Sequence, residues 1–173
     1  MKSAILVIDV QNGIFGDDRK PFESDIVVER IRKITERARL NGDMVIYIQH
    51  EAPGVVEFGT EAWKLFDGLK PNSNDTRIRK RTPDAFLNTD LDETLKNAGV
   101  ENLVICGYSS DFCIDRTTYK AANSGYHVIL VSDAHTTHDK PHLTAAQIRE
   151  HHNFLLSKHP SVKLVGHIEV AGG

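Results

Sequence analysis

Apolar residues fall along this chain in two alternating rhythms. Residues 3–8 (SAILVI) form an almost unbroken apolar run that ends in Asp9. Residues 25–40 carry Ile26, Val27, Ile31, Ile34 and Ala38 as a one-sided stripe at helical spacing, and Asn41-Gly42 stops it. Residues 43–49 (DMVIYIQ) predict a second buried strand, 91–98 a short amphipathic helix closed by Gly99, and 102–107 (NLVICG) another strand. Residues 112–124 look helical up to Gly125, and 126–131 (YHVILV) form the next strand. A polar loop, SDAHTTHDKP, leads to a helix from about Leu143 to Ser157, and a short strand spans 162–165. The least regular stretch is 51–88, rich in Gly, Pro, Asn and charge, with one short strand near Thr76–Lys80. Strands apolar on both faces that alternate with helices imply a parallel sheet covered on each side.

Length and composition narrow the class. The 173 residues suit one domain, spanning 1–173, with enough chain to bury a core without disulfides. A net charge of −3 offers no basic face to nucleic acid or anionic lipid, so neither is an expected partner. No apolar run is long enough to span a membrane, and the N-terminal run is too short for a signal peptide. The two cysteines, Cys106 and Cys113, read as reduced thiols, and the expected location is the cytoplasm.

In parallel sheets of this kind ligands bind at the carboxyl ends of strands, near the switch in strand order. Three residues of complementary chemistry sit there. Asp9 ends the first strand, Lys80 ends the short middle strand, and Cys113 stands at the start of the helix after 102–107. A thiol at a helix N-terminus feels unpaired N–H groups, which lower its pKa and could hold an oxyanion. Cysteine is also a common core residue, and for Cys106, inside a strand, core packing is the expected role. A carboxylate after five apolar residues is costly unless paired, so Asp9 is a cap, a metal ligand or a base. Lys80 lies within RIRKR, a run that mostly reads as a solvated face.

At these residues the chain resembles the isochorismatase-like hydrolases, also called cysteine hydrolases, from about residue 3 to 157. Four patches in order carry the resemblance: AILVIDVQNGIF; KRTPDAFLNTDLDETLKNAGV, like K-x-x-x-S-A-F-x-x-T-x-L; LVICGYSSDFCIDRTTYKAANSGY, like G-x-x-T-x-x-C-V-x-x-T-A; and VSDAHTT. The resemblance implies a three-layer α/β/α sandwich, Rossmann-like, around a mostly parallel sheet of about six strands. It implies a triad of nucleophile Cys113, base Asp9 and Lys80, the lysine chosen because it stands six residues before Phe86. Asp84 replaces a frequent Ser and Ser110 a frequent Thr; neither change removes a triad member. The implied reaction is hydrolysis of a C–N bond in a small amide through a thioester, with no cofactor. Oxyanion donors are the N–H groups of Ser109 and Cys113, with a cis peptide between Tyr108 and Ser109. The implied assembly is a homo-oligomer, dimer or tetramer.

Gln11, Phe15, His50, Trp63, Phe86, Tyr108 and Phe112 are the expected pocket walls, with core packing the alternative for Phe86 and Phe112. Nicotinamidases of the family hold a metal through Asp-x-His and a further His after the second strand. YIQHEAPG does not reproduce that spacing, so no metal is expected, and His135, His138 and His142 read as a polar loop. Rival readings are a metal-assisted nicotinamidase and a catalytically silent binding relative. A nucleotide-binding Rossmann protein is disfavoured, because neither G-x-G-x-x-G nor a Walker A lysine is present.

Overall fold

The computed structural model describes residues 1–16 and 18–172. Six strands, β1 (Lys2–Ile8), β2 (Met44–His50), β3 (Thr76–Lys80), β4 (Val100–Tyr108), β5 (His127–Thr136) and β6 (Val162–Val165), form one sheet. Every pairing is parallel and the order is β3-β2-β1-β4-β5-β6. The chain starts in the middle, builds out to β3, then returns across β1 to build the other half. The order therefore reverses between β1 and β4, and their carboxyl ends open a crevice there.

Helices cover both faces, as a parallel sheet requires. The α2 helix (Ser24–Asn41) buries Val27, Val28, Ile31 and Ile34 against Ile5, Val7 and Tyr47. It ends at Gly42 in the left-handed conformation, whose N–H reaches the carbonyls of Ala38 and Arg39. On that same face α6 (His167–Ala171) adds Val170. The opposite face holds α3 (Leu91–Asn97), α4 (Cys113–Asn123) and α5 (Ala145–Leu156), which bury Leu91, Leu95, Ile114, Ala121 and Leu156 against Leu6, Ile8 and Ile105. Among the described residues no helix is long and apolar enough to cross a membrane.

The sandwich and its six strands match the sequence expectation, and three details differ. Ile26 is 48 % exposed, so the buried stripe of α2 starts at Val27. The segment SDAHT is not loop: β5 runs on to Thr136, with a register shift between its pairings to Ile105 and Gly107. The polar residues Asp133 and His135 hide this extension, because the side chain of each is bonded inside the protein. The single turn α1 (Asn12–Phe15) and α6 carry too few residues for a readable period.

Candidate active site

Asp9 follows directly on β1, at the switch point. Its φ is +54°, the left-handed region that Asp tolerates better than most residues, and its N–H donates to the Ile48 carbonyl at 2.9 Å. The bend turns the carboxylate away from the sheet's own ladder. Strained backbone of this kind concentrates at functional sites.

Lys80 arrives from the other side by strand alternation. Along β3, Ile78 and Lys80 point inward while Arg77 and Arg79 point out. Arg79 and Arg81 both grip the carboxylate of Glu51, which explains why only the middle base of the run enters the site. The Lys80 side chain is 0 % exposed and that of Asp9 is 3 % exposed. From Nζ, distances are 3.0 Å to Asp9 Oδ2, 2.9 Å to His50 Nδ1, 3.1 Å to the Thr82 carbonyl and 3.2 Å to Cys113 Sγ. An ammonium has three protons for these four acceptors, so one always goes without. Asp9 Oδ1 is buried and receives no donor among the described residues.

Cys113 is the first residue of α4 and 8 % exposed. Burial, and then the charge of Asp9, push its thiol up to about 12, with Lys80 pulling the other way. Burial and Asp9 thus act against the lowering expected from the helix N-terminus. Cys106, inside β4, is fully buried and its thiol is raised by burial alone.

The segment between β4 and α4 begins at Gly107, whose φ is +118°. A Cβ there would stand 2.2 Å from the Ile8 carbonyl oxygen, so only glycine lets β4 approach β1 this closely. The Tyr108–Ser109 peptide is cis, as the resemblance implies. The Ser109 carbonyl accepts from the N–H groups of Phe112 and Ile114. Among the described residues the N–H groups of Ser109 and Cys113 have no backbone acceptor.

His50, the last residue of β2, joins this cluster rather than forming a pocket wall. Its Nδ1 faces the Lys80 ammonium, so it accepts there and carries its proton on Nε2; burial and then Lys80 hold its pKa below the ordinary value. Donor atoms of Asp9, His50 and Cys113 lie within 4.8 Å of one another and are the ones that could hold a cation. Lys80 Nζ lies within hydrogen-bonding distance of one atom of each of the three.

Several expected pocket walls are instead internal structure. Gln11 is wholly buried and ties strand ends together: its amide donates to the carbonyls of His50 and Trp63 and accepts from the His50 N–H. Phe15 is core, against Phe66 and Tyr108, and Phe86 stacks on Tyr126 within the opposite core. Asp84 caps the N–H of Phe86. The Tyr108 hydroxyl is held by His138 at 2.7 Å, and Trp63 packs on Phe58. Phe112 alone of the set is largely open, at 50 % exposure. A cavity of about 440 Å³ borders Lys80 and is lined by Glu51, Arg79, Arg81, Thr82, Leu87 and Asn88. A larger one, about 730 Å³, opens beside Tyr108 and His138 and touches none of the triad. Sequence reasoning missed Thr82, whose contribution is a backbone carbonyl that any residue type could supply, and a buried hydrogen-bonded chain through Ser110, His135 and Asn153.

Comparison with known proteins identifies relatives of this chain. The streptothricin hydrolase of Streptomyces noursei is 36 % identical over 140 residues, covering 80 % of this chain and 51 % of that protein. The chain thus spans about half the length of that relative. The isochorismatase family protein YddQ of Bacillus subtilis (strain 168) is 34 % identical, with 79 % of each chain covered. A crystal structure of an isochorismatase family protein superposes with a TM-score of 0.89 at 30 % identity, covering 95 % of this chain and 98 % of that one. The family model for the isochorismatase domain matches residues 3–155, which takes in Asp9, Lys80 and Cys113, and the chain belongs to the isochorismatase family.

Proposed function

We propose that this chain is a cysteine hydrolase that cleaves a C–N bond of a small amide, with Cys113 as nucleophile, Asp9 as proton carrier and Lys80 as the fixed cation between them. One observation carries the reading: a fully buried ammonium stands within hydrogen-bonding distance of both a buried carboxylate and a buried thiol. A lysine sealed from water needs such partners to stay charged, and this set is also what a nucleophilic thiol needs. The relative named streptothricin hydrolase supports a hydrolytic reading.

The resting thiol is a weak acceptor, so the three protons of Lys80 serve Asp9 Oδ2, His50 Nδ1 and the Thr82 carbonyl. Asp9 Oδ1, which has no other donor, takes the Cys113 proton as substrate enters. The new thiolate is a strong acceptor, and Lys80 turns one proton to it. Attack on the amide carbon places a negative oxygen before the Ser109 and Cys113 N–H groups. Asp9 then gives its proton to the leaving nitrogen, the C–N bond breaks, and a thioester remains. Water, losing a proton to Asp9, adds to the thioester; the C–S bond breaks, the acid departs, and Asp9 returns the proton to the Cys113 thiolate.

A panel of small amides assayed for ammonia or amine release tests the reading. Release by the wild type, lost in Cys113→Ala, is the expected result. Equal release by Cys113→Ala would remove the nucleophile, and inactivation by prolonged chelation with rescue by zinc would favour the metal-assisted alternative.

A further inference from the structure

Ser110, His135 and Asn153 form a second chain of polar groups that the reaction above does not use. Ser110 Oγ lies 2.8 Å from His135 Nδ1, His135 Nε2 lies 2.7 Å from Asn153 Oδ1, and Asn153 Nδ2 donates to the Ser132 carbonyl at 2.9 Å. The direction of every bond follows from the last one. A carbonyl only accepts, so Nδ2 faces Ser132 and Oδ1 is left to accept from His135. Nε2 therefore carries the imidazole proton, Nδ1 is bare, and Ser110 must donate its hydroxyl proton. Burial supports this neutral form, holding His135 down to about 4.

Such an order of groups, hydroxyl, imidazole and amide, has the form of a nucleophilic triad. Access rules that out, because Ser110 and His135 are each 0 % exposed. What the chain does touch is the active-site loop. Ser110 stands between the two oxyanion donors, next to Ser109 and three residues before Cys113. Its N–H is also bonded, to the Thr136 carbonyl at 3.0 Å. Both hydrogen-bond donors of one loop residue are thus fixed to β5, and through His135 to α5.

We propose that Ser110, His135 and Asn153 are positioning residues that lock the loop 109–112 so that its donors face the developing oxyanion. This rests on the assignment of Cys113 as nucleophile. The lock acts on the transition state, since a rigid donor pair is worth most when charge develops on the substrate oxygen. It leaves Asp9 and Lys80, which set thiol reactivity, untouched.

The test compares wild type with Ser110→Ala, Asn153→Ala and Ser110→Thr, each first shown to be folded by circular dichroism and thermal melting. Three readouts are taken: kcat and KM on an amide the wild type cleaves, the rate of Cys113 alkylation by iodoacetamide, and hydrogen exchange of segment 107–114. Both alanine variants should lose about ten- to a hundredfold in kcat with KM within about twofold, as for a lost oxyanion contact. Alkylation should stay within about twofold and segment exchange should quicken about tenfold, the signature of local loosening. Ser110→Thr, which keeps the hydroxyl, should recover wild-type behaviour in all three. A Ser110→Ala protein with wild-type kcat overturns the proposal. So does a loss of kcat matched by an equal loss of alkylation, which would place the defect in the thiol. If the wild type cleaves no amide, the hydrolase reading fails by itself, and exchange then decides: quicker in both alanine variants upholds the lock, unchanged refutes it.

Discussion

At the scale of single residues, the proposed site gives one buried cation more acceptors than it has protons. Lys80 should therefore be far more important than its basic neighbours. Lys80→Ala is expected to lower amide hydrolysis by at least about a hundredfold, since it strips an activated nucleophile of its cation and leaves Asp9 buried and unpaired. Arg79→Ala and Arg81→Ala, which each leave Glu51 its other arginine, should stay within about threefold, in line with the small worth of exposed ion pairs. Kinetics of the three variants side by side check this, and equal losses would mean only a general basic patch. Cys113 carries a second expectation. Because its thiol is pushed up to about 12, iodoacetamide labelling should rise about tenfold per pH unit between pH 7 and 9, following the thiolate fraction. A plateau already at neutral pH would mean a resting thiolate and overturn the order of steps proposed above. Mass mapping should find the adduct on Cys113, because Cys106 is sealed within β4.

At the scale of elements, the site depends on how closely two strand ends approach. Asp9 after β1 and the loop after β4 are neighbours only because β1 and β4 pair in register from Ser3–Asn102 to Ile8–Gly107. Gly107 is the contact at the end of that ladder. Gly107→Ala would place a methyl 2.2 Å from the Ile8 oxygen in a backbone region that disfavours it, so it should cost about 3 kcal/mol or more of stability. Denaturant titration reads the loss. Any surviving folded protein should also be inactive, because relief of the clash moves the oxyanion loop away from Asp9. The helices divide their labour in the same way. α4 brings Cys113 to the crevice on its first residue, while α5, through Asn153, holds the far end of the chain that ends on Ser110.

At the scale of the whole molecule, the buried polar groups at the sheet's carboxyl edge tie stability to pH. His135 is held at about 4, below the ordinary histidine value. The folded state therefore binds fewer protons than the unfolded one between these limits. Its contribution is complete above about pH 6.5 and is lost as pH falls toward about 4, up to about 3 kcal/mol in all. Urea midpoints at pH 7 and pH 4.5 should show this drop for the wild type and a much smaller one for His135→Gln. The balance of sequence and structure is clearest at this scale too. Periodicity alone placed six strands and the main helices, because apolar spacing reports which face is buried and both faces of a parallel sheet are. It also put Asp9, Lys80 and Cys113 at strand ends, and the patches around them marked the family. Composition could not tell a pocket wall from a tie. Gln11, Phe15 and Phe86 lie near the right ends, yet the tertiary fold turns each inward to a partner distant in sequence. The thiol's raised pKa, the crowding of four acceptors on Lys80, and the link from Ser110 to Asn153 were likewise decided only in three dimensions. Each depends on desolvation and on distances between segments that the chain brings together across tens of residues, and local sequence carries neither quantity.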